Sequence, residues 1–460
     1  MNARLPQVDS SLYVAHQKIY PKEVEGRFNR WRVSAVIALL GVFYALPWVR
    51  WDGRQAVLFD IPARKFYIFG LTFFPQDFFL LAWLLIIAAL SLFFFTAVAG
   101  RLWCGYACPQ TVWTQIFVWM ERWTEGNRQQ RMKLDRAPWS ANKVVRKSAK
   151  QLLWITFSLY TGYTFVGYFS AIGMLTREVF TATLGAWQVF WILFYGFATY
   201  GNAGWMREQV CKYMCPYARF QGAMFDKDTL IITYDAQRGD PRGARSRKAD
   251  PRASGLGDCL DCTLCVQVCP TGIDIRKGLQ LECIACAACI DACDDVMDKM
   301  HYPRGLIRYT TQAAMDGKPT KVLRPRTMIY AGVLLALIVG FGFAVANRTL
   351  VELDVLRDRN ALYREVAGGQ IENVYTIRFV NKDTRPHQMQ LSLRDLAQGV
   401  IDSDPDAFEI GAGEVLSAAV RGRAPANSVS GGRDVQIVAK AANAEIESVA
   451  KARFIAPVRR

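Results

Sequence analysis

The chain has 460 residues, a formal net charge of +16 and 52% hydrophobic residues. That length predicts two or three structural units rather than one core. The lysines and arginines lie beside long apolar runs, which favours membrane lipid over nucleic acid as the partner. The three histidines all lie outside the apolar runs, so a membrane haem held by two intramembrane histidines is excluded.

Five apolar stretches approach the length of about 20 residues that a helix needs to cross a bilayer. They are residues 33–49, 78–99, 152–172, 187–205 and 327–346. The shorter tryptophan-rich stretch 109–120 predicts an amphipathic helix at the membrane interface.

The distribution of basic residues predicts the orientation of these spans. Residues 121–150 carry nine lysines and arginines, whereas residues 173–186 carry one. The basic loop is therefore expected in the cytoplasm. Residues 1–32 are polar and lack an early apolar region, so we expect a cytoplasmic segment there rather than a signal peptide. Five spans then place residues 206–326 in the cytoplasm and residues 347–460 outside.

The first unusual motif occurs twice, as C-x-Y-x-C-P. WCGYACPQ contains Cys104 and Cys108, and VCKYMCPY contains Cys211 and Cys215. Each copy follows a pair of predicted spans, which predicts a parallel internal repeat with both copies on the cytoplasmic face. The proline predicts that Cys108 and Cys215 cap helix N-termini, where the helix dipole lowers the pKa of a thiol.

We call Cys104, Cys108, Cys211 and Cys215 the twin motif. Brought together, they would form a four-thiolate site for Cu(I), zinc or an iron–sulfur centre, and a redox dithiol is a further alternative. Buried structural cysteines are the simpler explanation, but the duplication with a shared tyrosine and proline favours function. These four cysteines are our candidate catalytic and metal-binding residues.

Eight more cysteines form two C-x2-C-x2-C-x3-C runs. The first contains Cys259, Cys262, Cys265 and Cys269, followed by Pro270; the second contains Cys283, Cys286, Cys289 and Cys293, followed by Asp294. In such runs the first three cysteines hold one cubane and the fourth ligates the other. Zinc is the alternative, but the complete duplication favours two [4Fe–4S] clusters.

This rule predicts the ligands of each cluster. Cluster one takes Cys259, Cys262, Cys265 and Cys293, and cluster two takes Cys269, Cys283, Cys286 and Cys289. Because every cluster iron then has a cysteine ligand, the pair suits one-electron relay rather than substrate activation. The preceding stretch 236–252 is rich in Gly, Pro and Arg and predicts a flexible basic linker.

The C-terminal region changes character. Residues 374–382, 387–396 and 434–440 alternate apolar and polar side chains and are separated by turn-forming residues. This pattern predicts a small antiparallel β-sandwich.

The sequence resembles the FixG/CcoG/RdxA family of cytochrome oxidase accessory proteins. The resemblance is carried by IYPKEVEGRFNRWR (19–32), RLWCGYACPQTVWTQ (101–115), REQVCKYMCPYARFQGAMFDKDTLIITYD (207–235) and the cysteine run that ends at Cys293. It implies a protein of the bacterial cytoplasmic membrane that helps to assemble the cbb-type haem–copper oxidase. It further implies reduction of Cu(II) to Cu(I), delivery through copper chaperones or a copper transporter, and an immunoglobulin-like C-terminal domain.

The predicted fold is thus a membrane α-helical bundle of about five transmembrane helices, with an α+β bacterial-type two-cluster ferredoxin domain and a C-terminal all-β immunoglobulin-like sandwich. Its regions are an N-terminal segment, four spans with the first motif, a segment with the second motif and the basic linker, the ferredoxin domain, a linker, the fifth span and the outer domain. The corresponding boundaries are 1–32, 33–206, 207–258, 259–302, 303–326, 327–346 and 347–460.

Our functional hypothesis is a membrane cupric reductase with copper as substrate or bound ion. One alternative is a generic electron conduit from quinol or a cytoplasmic donor to a periplasmic partner, and another is a copper-binding assembly scaffold without enzymatic activity. The sequence leaves the electron donor unidentified and the oligomeric state open, a homodimer included.

Overall fold

The computed structural model describes residues 18–247, 255–358, 361–442 and 444–458. Residues 1–17 of the predicted N-terminal segment and residues 248–252 of the predicted basic linker lie outside this part of the chain. The chain divides into two compact units. The first consists of Met1–Tyr44, Ala88–Phe165 and Gly185–Leu334, and the second of Ala45–Ile87, Val166–Leu184 and Leu335–Arg460.

The long helices follow the apolar and amphipathic stretches of the sequence, and short helices lie around the cysteine motifs. In chain order they are α1 (Arg27–Ala45), α2 (Phe78–Ala99), α3 (Leu102–Tyr106), α4 (Pro109–Glu125), α5 (Arg128–Arg136), α6 (Ala141–Val166), α7 (Ile172–Thr181), α8 (Ala186–Thr199), α9 (Pro216–Met224), α10 (Ala236–Gly239), α11 (Leu264–Gln267), α12 (Ala288–Met300), α13 (Gln312–Met315) and α14 (Pro325–Ala346). Two π-helical turns follow α8, at Tyr200–Met206 and Val210–Met214.

Three helical segments among the described residues are long and apolar enough to cross a membrane. They are Arg27–Trp48, Pro75–Ala99 and Pro325–Ala346. A fourth span results if Ile172–Thr181 and Ala186–Met206, which are bent by 99° at their junction, form one broken span. The structure therefore supports three or four spans, where the sequence predicted about five.

The predicted span at residues 152–172 is not among these helical segments. It lies on α6, which ends at Val166 and begins with a basic segment that includes Lys147 and Lys150. The apolar part is interrupted by hydroxyl side chains, among them Ser158 and Thr164, which are buried and donate hydrogen bonds to carbonyl oxygens four residues earlier. The exposed face of the same stretch carries apolar side chains, among them Leu152, Ile155 and Leu159.

The ferredoxin region is enclosed by a pair of antiparallel strands, β6 (Ile231–Tyr234) and β7 (Ile307–Thr310). Ile232 and Ile307 from these strands pack with Met297 of α12 and with the cluster cysteines in one core. The loops between β6 and β7 carry the cysteine runs, so the predicted α+β arrangement is confirmed. Because β7 lies inside the predicted linker 303–326, part of that linker belongs to the ferredoxin fold.

The predicted basic linker is also partly anchored. Arg238 pairs with Asp258 at 2.5 Å, and Arg245 donates a hydrogen bond of 3.1 Å to the hydroxyl of Tyr302. The described part of the linker therefore lies against the ferredoxin region.

The C-terminal region is a sandwich of two antiparallel sheets, as predicted. Its strands are β8 (Val351–Arg357), β9 (Arg364–Val366), β10 (Gln370–Asn381), β11 (His387–Arg394), β12 (Val400–Asp402), β13 (Ala407–Ile410), β14 (Val415–Pro425), β15 (Gly432–Ala441) and β16 (Glu447–Ile455). One sheet has the order β12–β14–β10–β8, with β9 also paired to β10, and the other has the order β13–β11–β15–β16.

The alternation read from the sequence corresponds to the core of this sandwich. Tyr375, Ile377 and Phe379 point inward from β10 and are fully buried against Met389 of β11 and Ile437 of β15. The loop between α1 and α2, for which no strand was predicted, forms short strands: β1 (Arg50–Trp51), β2 (Arg54–Gln55), β3 (Val57–Asp60), β4 (Lys65–Ile68) and β5 (Leu71–Phe73).

Candidate metal centre

The cysteines proposed for cluster one line a common pocket. We call it pocket one; its cysteines are Cys259, Cys262, Cys265 and Cys293. Leu264, Val296, Met297 and Ile307 supply apolar walls, and Arg276 supplies a positive charge. Cys293 is 28 or more positions from the other three cysteines in the sequence, yet it lines the same pocket. This agrees with the expectation that the fourth cysteine of one run ligates the cluster of the other.

The cysteines proposed for cluster two line a second pocket. Pocket two contains Cys269, Cys283, Cys286 and Cys289 among apolar side chains such as Ile232 and Ile275. Cys265 lines both pockets. The two pockets are therefore adjacent, which suits electron exchange between two groups held in them.

The loops that carry these cysteines share an unusual backbone. Asp261 and Thr263 flank Cys262, Ala285 and Ala287 flank Cys286, and all four flanking residues have φ between 50° and 60°. Residues other than glycine rarely adopt this left-handed conformation, which costs energy and is concentrated at functional sites. Here it curls each loop so that its cysteines face one pocket.

Backbone N–H groups of the second loop point at its sulfurs. The N–H of Ala285 bonds to Cys283, and that of Ala288 bonds to Cys286. Hydrogen bonds of this kind stabilise negative charge on cluster sulfurs and tune the reduction potential.

Three of the pocket thiols are strongly desolvated. Burial raises the pKa of Cys265 to about 11 and the pKa of both Cys283 and Cys293 to about 12. Without a positive partner these groups would stay protonated, so metal binding must displace the protons. Four thiols in an apolar pocket fit a group that brings its own positive charge, as the irons of a [4Fe–4S] cluster do.

Each half of the twin motif is a helical turn followed by a new helix. Cys104 lies in α3 and Cys108 caps α4, whereas Cys211 lies in the π-helical turn Val210–Met214 and Cys215 caps α9. A proline begins both new helices, so the predicted capping positions are confirmed. The two halves differ in the first turn, which is α-helical in one and π-helical in the other.

The four cysteines of the twin motif lie near enough for their charges to interact, although they do not converge on one point. Burial is the main cause that raises the pKa of Cys211 to about 12, and repulsion from Cys108, Cys104 and Cys215 adds to it. Burial also raises the pKa of Cys108, and backbone hydrogen bonds from Thr111 and Gln110 offset this only in part. The expected lowering by the helix dipole is therefore wrong for Cys108, because desolvation is the larger effect.

A buried glutamine completes the first half of this site. Gln221 of α9 is fully buried, and its side-chain nitrogen Nε2 lies 3.4 Å from the sulfur of Cys104. Sequence reasoning missed Gln221, because its place six residues after Cys215 carries no motif.

The first half of the twin motif packs directly on the loop of pocket two. A Cβ atom on Gly105 would lie 2.9 Å from the carbonyl oxygens of Ile284 and Ala285 and from the Cα of Cys286. Arg101 donates a hydrogen bond of 3.1 Å to the carbonyl of Cys283. Cys104 also packs in one apolar cluster with Cys286. The two groups of cysteines are thus neighbours.

Among the described residues, no three or more His, Cys, Asp or Glu side chains converge on a point that one metal ion could occupy. The sulfurs of pockets one and two line cavities, as ligands of a cubane at its corners do. The donor sets therefore fit [4Fe–4S] clusters.

Comparisons with known proteins agree with this chemistry. Residues 206–312 match a family model described as "4Fe-4S dicluster domain", residues 81–127 match "4Fe-4S binding domain", and residues 341–457 match "IG-like fold at C-terminal of FixG". The chain is 40% identical to nitrogen fixation protein FixG of Rhizobium meliloti over 434 residues, which cover 84% of this chain and 80% of that protein. It is 41% identical to protein RdxA of Cereibacter sphaeroides over 400 residues, 83% of each chain.

The chain belongs to the FixG family. It is an iron–sulfur membrane protein of electron transfer, with a FixG-type immunoglobulin-like domain at its C-terminus. More distantly, it is 25% identical to ferredoxin-type protein NapH of Haemophilus influenzae over 232 residues, which cover 47% of this chain and 67% of that protein.

In this FixG-family protein, a residue of the ferredoxin region also caps α1, the helix of the first apolar segment. Asp291 of α12 accepts hydrogen bonds from the backbone N–H groups of Phe28, at 3.2 Å, and Asn29, at 2.7 Å. A carboxylate there accepts hydrogen bonds from N–H groups that have no partner within the helix. Its negative charge also interacts favourably with the positive end of the helix dipole at the start of α1. Gly26 is required beside it, because a Cβ would lie 2.2 Å from the Asp291 carboxyl carbon. No sequence motif indicates this long-range cap.

A buried ionic network holds the two halves of the twin motif. Glu121 of α4 is fully buried and pairs with Arg207, which precedes the second half, at 2.6 Å. Arg131 lies 3.6 Å from Glu121, and Lys150 lies 2.8 Å from the neighbouring buried Glu125. Basic residues that indicated only membrane orientation therefore have a second, structural role.

Proposed function

We propose that this protein reduces Cu(II) to Cu(I) at the twin motif, with electrons supplied from the ferredoxin region, for assembly of the cbb-type cytochrome oxidase. The observation that carries the proposal is the packing of Gly105 and Cys104 against the loop of pocket two. Bound in the two pockets, [4Fe–4S] clusters would supply single electrons.

The chemistry of the twin motif suits this reaction. Soft thiolates favour Cu(I) over Cu(II), so binding at Cys104, Cys108, Cys211 and Cys215 would raise the potential of the copper couple. The four cysteines are half-buried, and burial together with repulsion from neighbouring cysteines raises the pKa of Cys104 and Cys211, so a bound cation would relieve this repulsion. One electron and one Cu(II) give one Cu(I), which the site must then release to a chaperone or transporter.

The orientation belongs to the same proposal. With residues 121–150 on the cytoplasmic side, the N-terminal segment and the ferredoxin region lie in the cytoplasm, and the immunoglobulin-like domain lies in the periplasm. Reporter fusions test this: a fusion at residue 458 should be active with a periplasmic reporter, and one at residue 318 with a cytoplasmic reporter. The opposite pattern would overturn the orientation.

The catalytic proposal is tested with the full chain, purified anaerobically. After reduction with dithionite and removal of the excess, added Cu(II) should appear as Cu(I) trapped by a chelator. A variant with serine at Cys262 and Cys286 is the matched control and should give none. Equal amounts of Cu(I) formed by the two proteins would contradict the reductase proposal.

A relay to another protein is the second candidate. It is favoured by the match of residues 81–127, which contain Cys104 and Cys108, to a 4Fe-4S binding model. If the twin motif holds an iron–sulfur centre, the purified protein should contain more than the about eight irons that two clusters require. Excess iron that disappears in Cys104→Ser, together with the absence of Cu(I) formation, would favour the relay.

A further inference from the structure

A cavity of about 320 Å³ lies beside both groups of cysteines in the first unit. Its walls include apolar side chains from α1, α4 and the ferredoxin loops: Val33, Val118, Trp119, Val268 and Ile284. The volume and the mixture of apolar walls with a few polar groups are typical of a small-molecule site. We call this space the donor cavity.

The donor cavity touches the redox residues directly. Cys211 of the twin motif lines it. Two further lining residues, Pro270 and Ile284, are the immediate neighbours of Cys269 and Cys283, which line pocket two. A molecule bound here would therefore lie against both groups of cysteines.

The charge of the donor cavity argues against copper as its occupant. Four arginines and a lysine line it, against two lining carboxylates and the buried Glu121 that pairs with Arg131 and Arg207. The lining cations are Arg32, Arg122, Arg131, Arg207 and Lys22, and the lining carboxylates are Glu23 and Glu208. A surplus of guanidinium groups repels Cu²⁺ and attracts electron-rich oxygen. The occupant should thus offer carbonyl or phenolic oxygens rather than positive charge.

One of these arginines has an unused donor. Arg32 is only 9% exposed, and its Nη2 donates to Asn29 at 3.1 Å, whereas its Nε has no hydrogen-bond partner among the described residues. Buried donors are nearly always paired, so an unpaired one at a cavity wall indicates a missing acceptor.

The location favours a reductant that arrives through the lipid. Asn29, Arg32 and Val33 belong to Arg27–Trp48, which is long and apolar enough to span a membrane. Trp119 of α4 also lines the cavity, on the stretch predicted to lie at the membrane interface. A lipid-soluble carrier could therefore enter at the end of a span.

We infer that the donor cavity binds the head group of a membrane quinol, and that this quinol is the electron donor of the proposed function, on which the inference rests. A quinol that leaves as quinone gives up two electrons and two protons. The electrons leave singly toward the cysteine groups and suffice for two Cu(II). The protons pass to the carboxylate of Glu23, which is half exposed, and on to water.

The test measures binding and does not depend on copper. The full chain is placed in phosphatidylcholine nanodiscs with decylubiquinone, and the quinone bound per chain is quantified after separation. We expect saturable binding of one quinone per chain. Val118→Trp fills the cavity and should weaken binding at least tenfold, whereas Ile37→Trp, on the exposed face of α1, should bind like the wild type.

A variant of Arg32 tests quinone binding independently. Arg32→Lys keeps the charge but removes the Nε donor, and it should weaken quinone binding while the iron content stays unchanged. Binding that is unaffected in both Val118→Trp and Arg32→Lys would overturn the inference, as would displacement of the quinone by NADH. Quinone binding without Cu(I) formation would instead overturn the proposed function alone, and Cu(I) formation from dithionite without quinone binding would overturn the inference alone.

Discussion

The cysteines of the ferredoxin region lie on one continuous stretch, Cys259 to Cys293, whereas those of the twin motif lie on two stretches separated by residues 109–210. In the first region, tight loops with left-handed residues direct each sulfur, so the geometry is local. In the second, the distant pair Glu121–Arg207 and packing on another loop determine which cysteines meet. The first region should therefore tolerate damage elsewhere in the unit, and the second should not.

The largest expected effect tests the local character of the ferredoxin pockets. Cys286→Ser removes a sulfur from pocket two, and iron should fall from about eight to about four per chain because one cluster is lost. Iron analysis and low-temperature electron paramagnetic resonance measure this. Cys104→Ser is the control and should keep the iron of both pockets. Loss of all iron in Cys286→Ser would show that the two pockets do not form separately.

The contact between the regions can be broken without touching a cysteine. Gly105→Ala places a methyl group within 2.9 Å of backbone atoms in the loop of pocket two, so the two surfaces must separate. Cu(I) formation should fall at least about tenfold, since small displacements strongly slow reactions between positioned groups. Iron content should not change.

Gly201→Ala is the matched control for this contact. Its Cβ would meet only the methyl carbon of Met206, at 3.9 Å, so Cu(I) formation should be normal. An undiminished rate in Gly105→Ala would show that the contact plays no part in the reaction.

The ionic network should matter mainly for the twin motif. Glu121→Gln leaves Arg207 and Arg131 buried without their carboxylate, which should cost about 3 kcal/mol of unfolding free energy. Thermal unfolding in detergent measures this, and copper binding should be lost at a lower temperature than iron. Lys299→Ala removes the exposed pair with Asp295 and should change stability by less than about 0.5 kcal/mol. If copper and iron were lost at the same temperature, the network would not matter more for the twin motif than for the ferredoxin pockets.

Acid should weaken the same network by a smaller, graded amount. Burial alone would raise the pKa of Glu121, but Arg207, Lys18 and Arg131 lower it to about 2, against 4.5 for an ordinary glutamate. Because the folded pKa is the lower one, this stabilisation is present above pH 4.5 and is lost as the pH falls through about 2. The melting temperature should decline over that range, and less steeply in Glu121→Gln. Parallel pH curves for the two proteins would contradict the assignment.

The sequence could predict what depends on local spacing. The four-cysteine groups of both pockets follow from C-x2-C-x2-C-x3-C spacing, and the strand at Gln370–Asn381 follows from alternation at residues 374–382. The helix caps at Cys108 and Cys215 follow from the proline after each.

What depends on distant partners could not be predicted. The Asp291 cap on α1 joins residues more than 260 positions apart, and the Glu121–Arg207 pair joins residues 86 apart. The raised pKa of Cys108 likewise depends on burial by other segments, which outweighs the local helix dipole. The span predicted at 152–172 lies on α6, and apolar composition alone does not reveal that this helix buries hydroxyl groups.

The most direct test of the central claim compares Cu(I) formation in the wild type and in a Cys104→Ser, Cys211→Ser variant, both with full iron in the ferredoxin pockets. In a single turnover after reduction, the wild type should form about two Cu(I) per chain, one for each one-electron cluster, as the cluster signals disappear. The variant should keep its reduced clusters and form Cu(I) far more slowly. Equal rates in the two proteins would contradict the account, because copper would then be reduced without the twin motif.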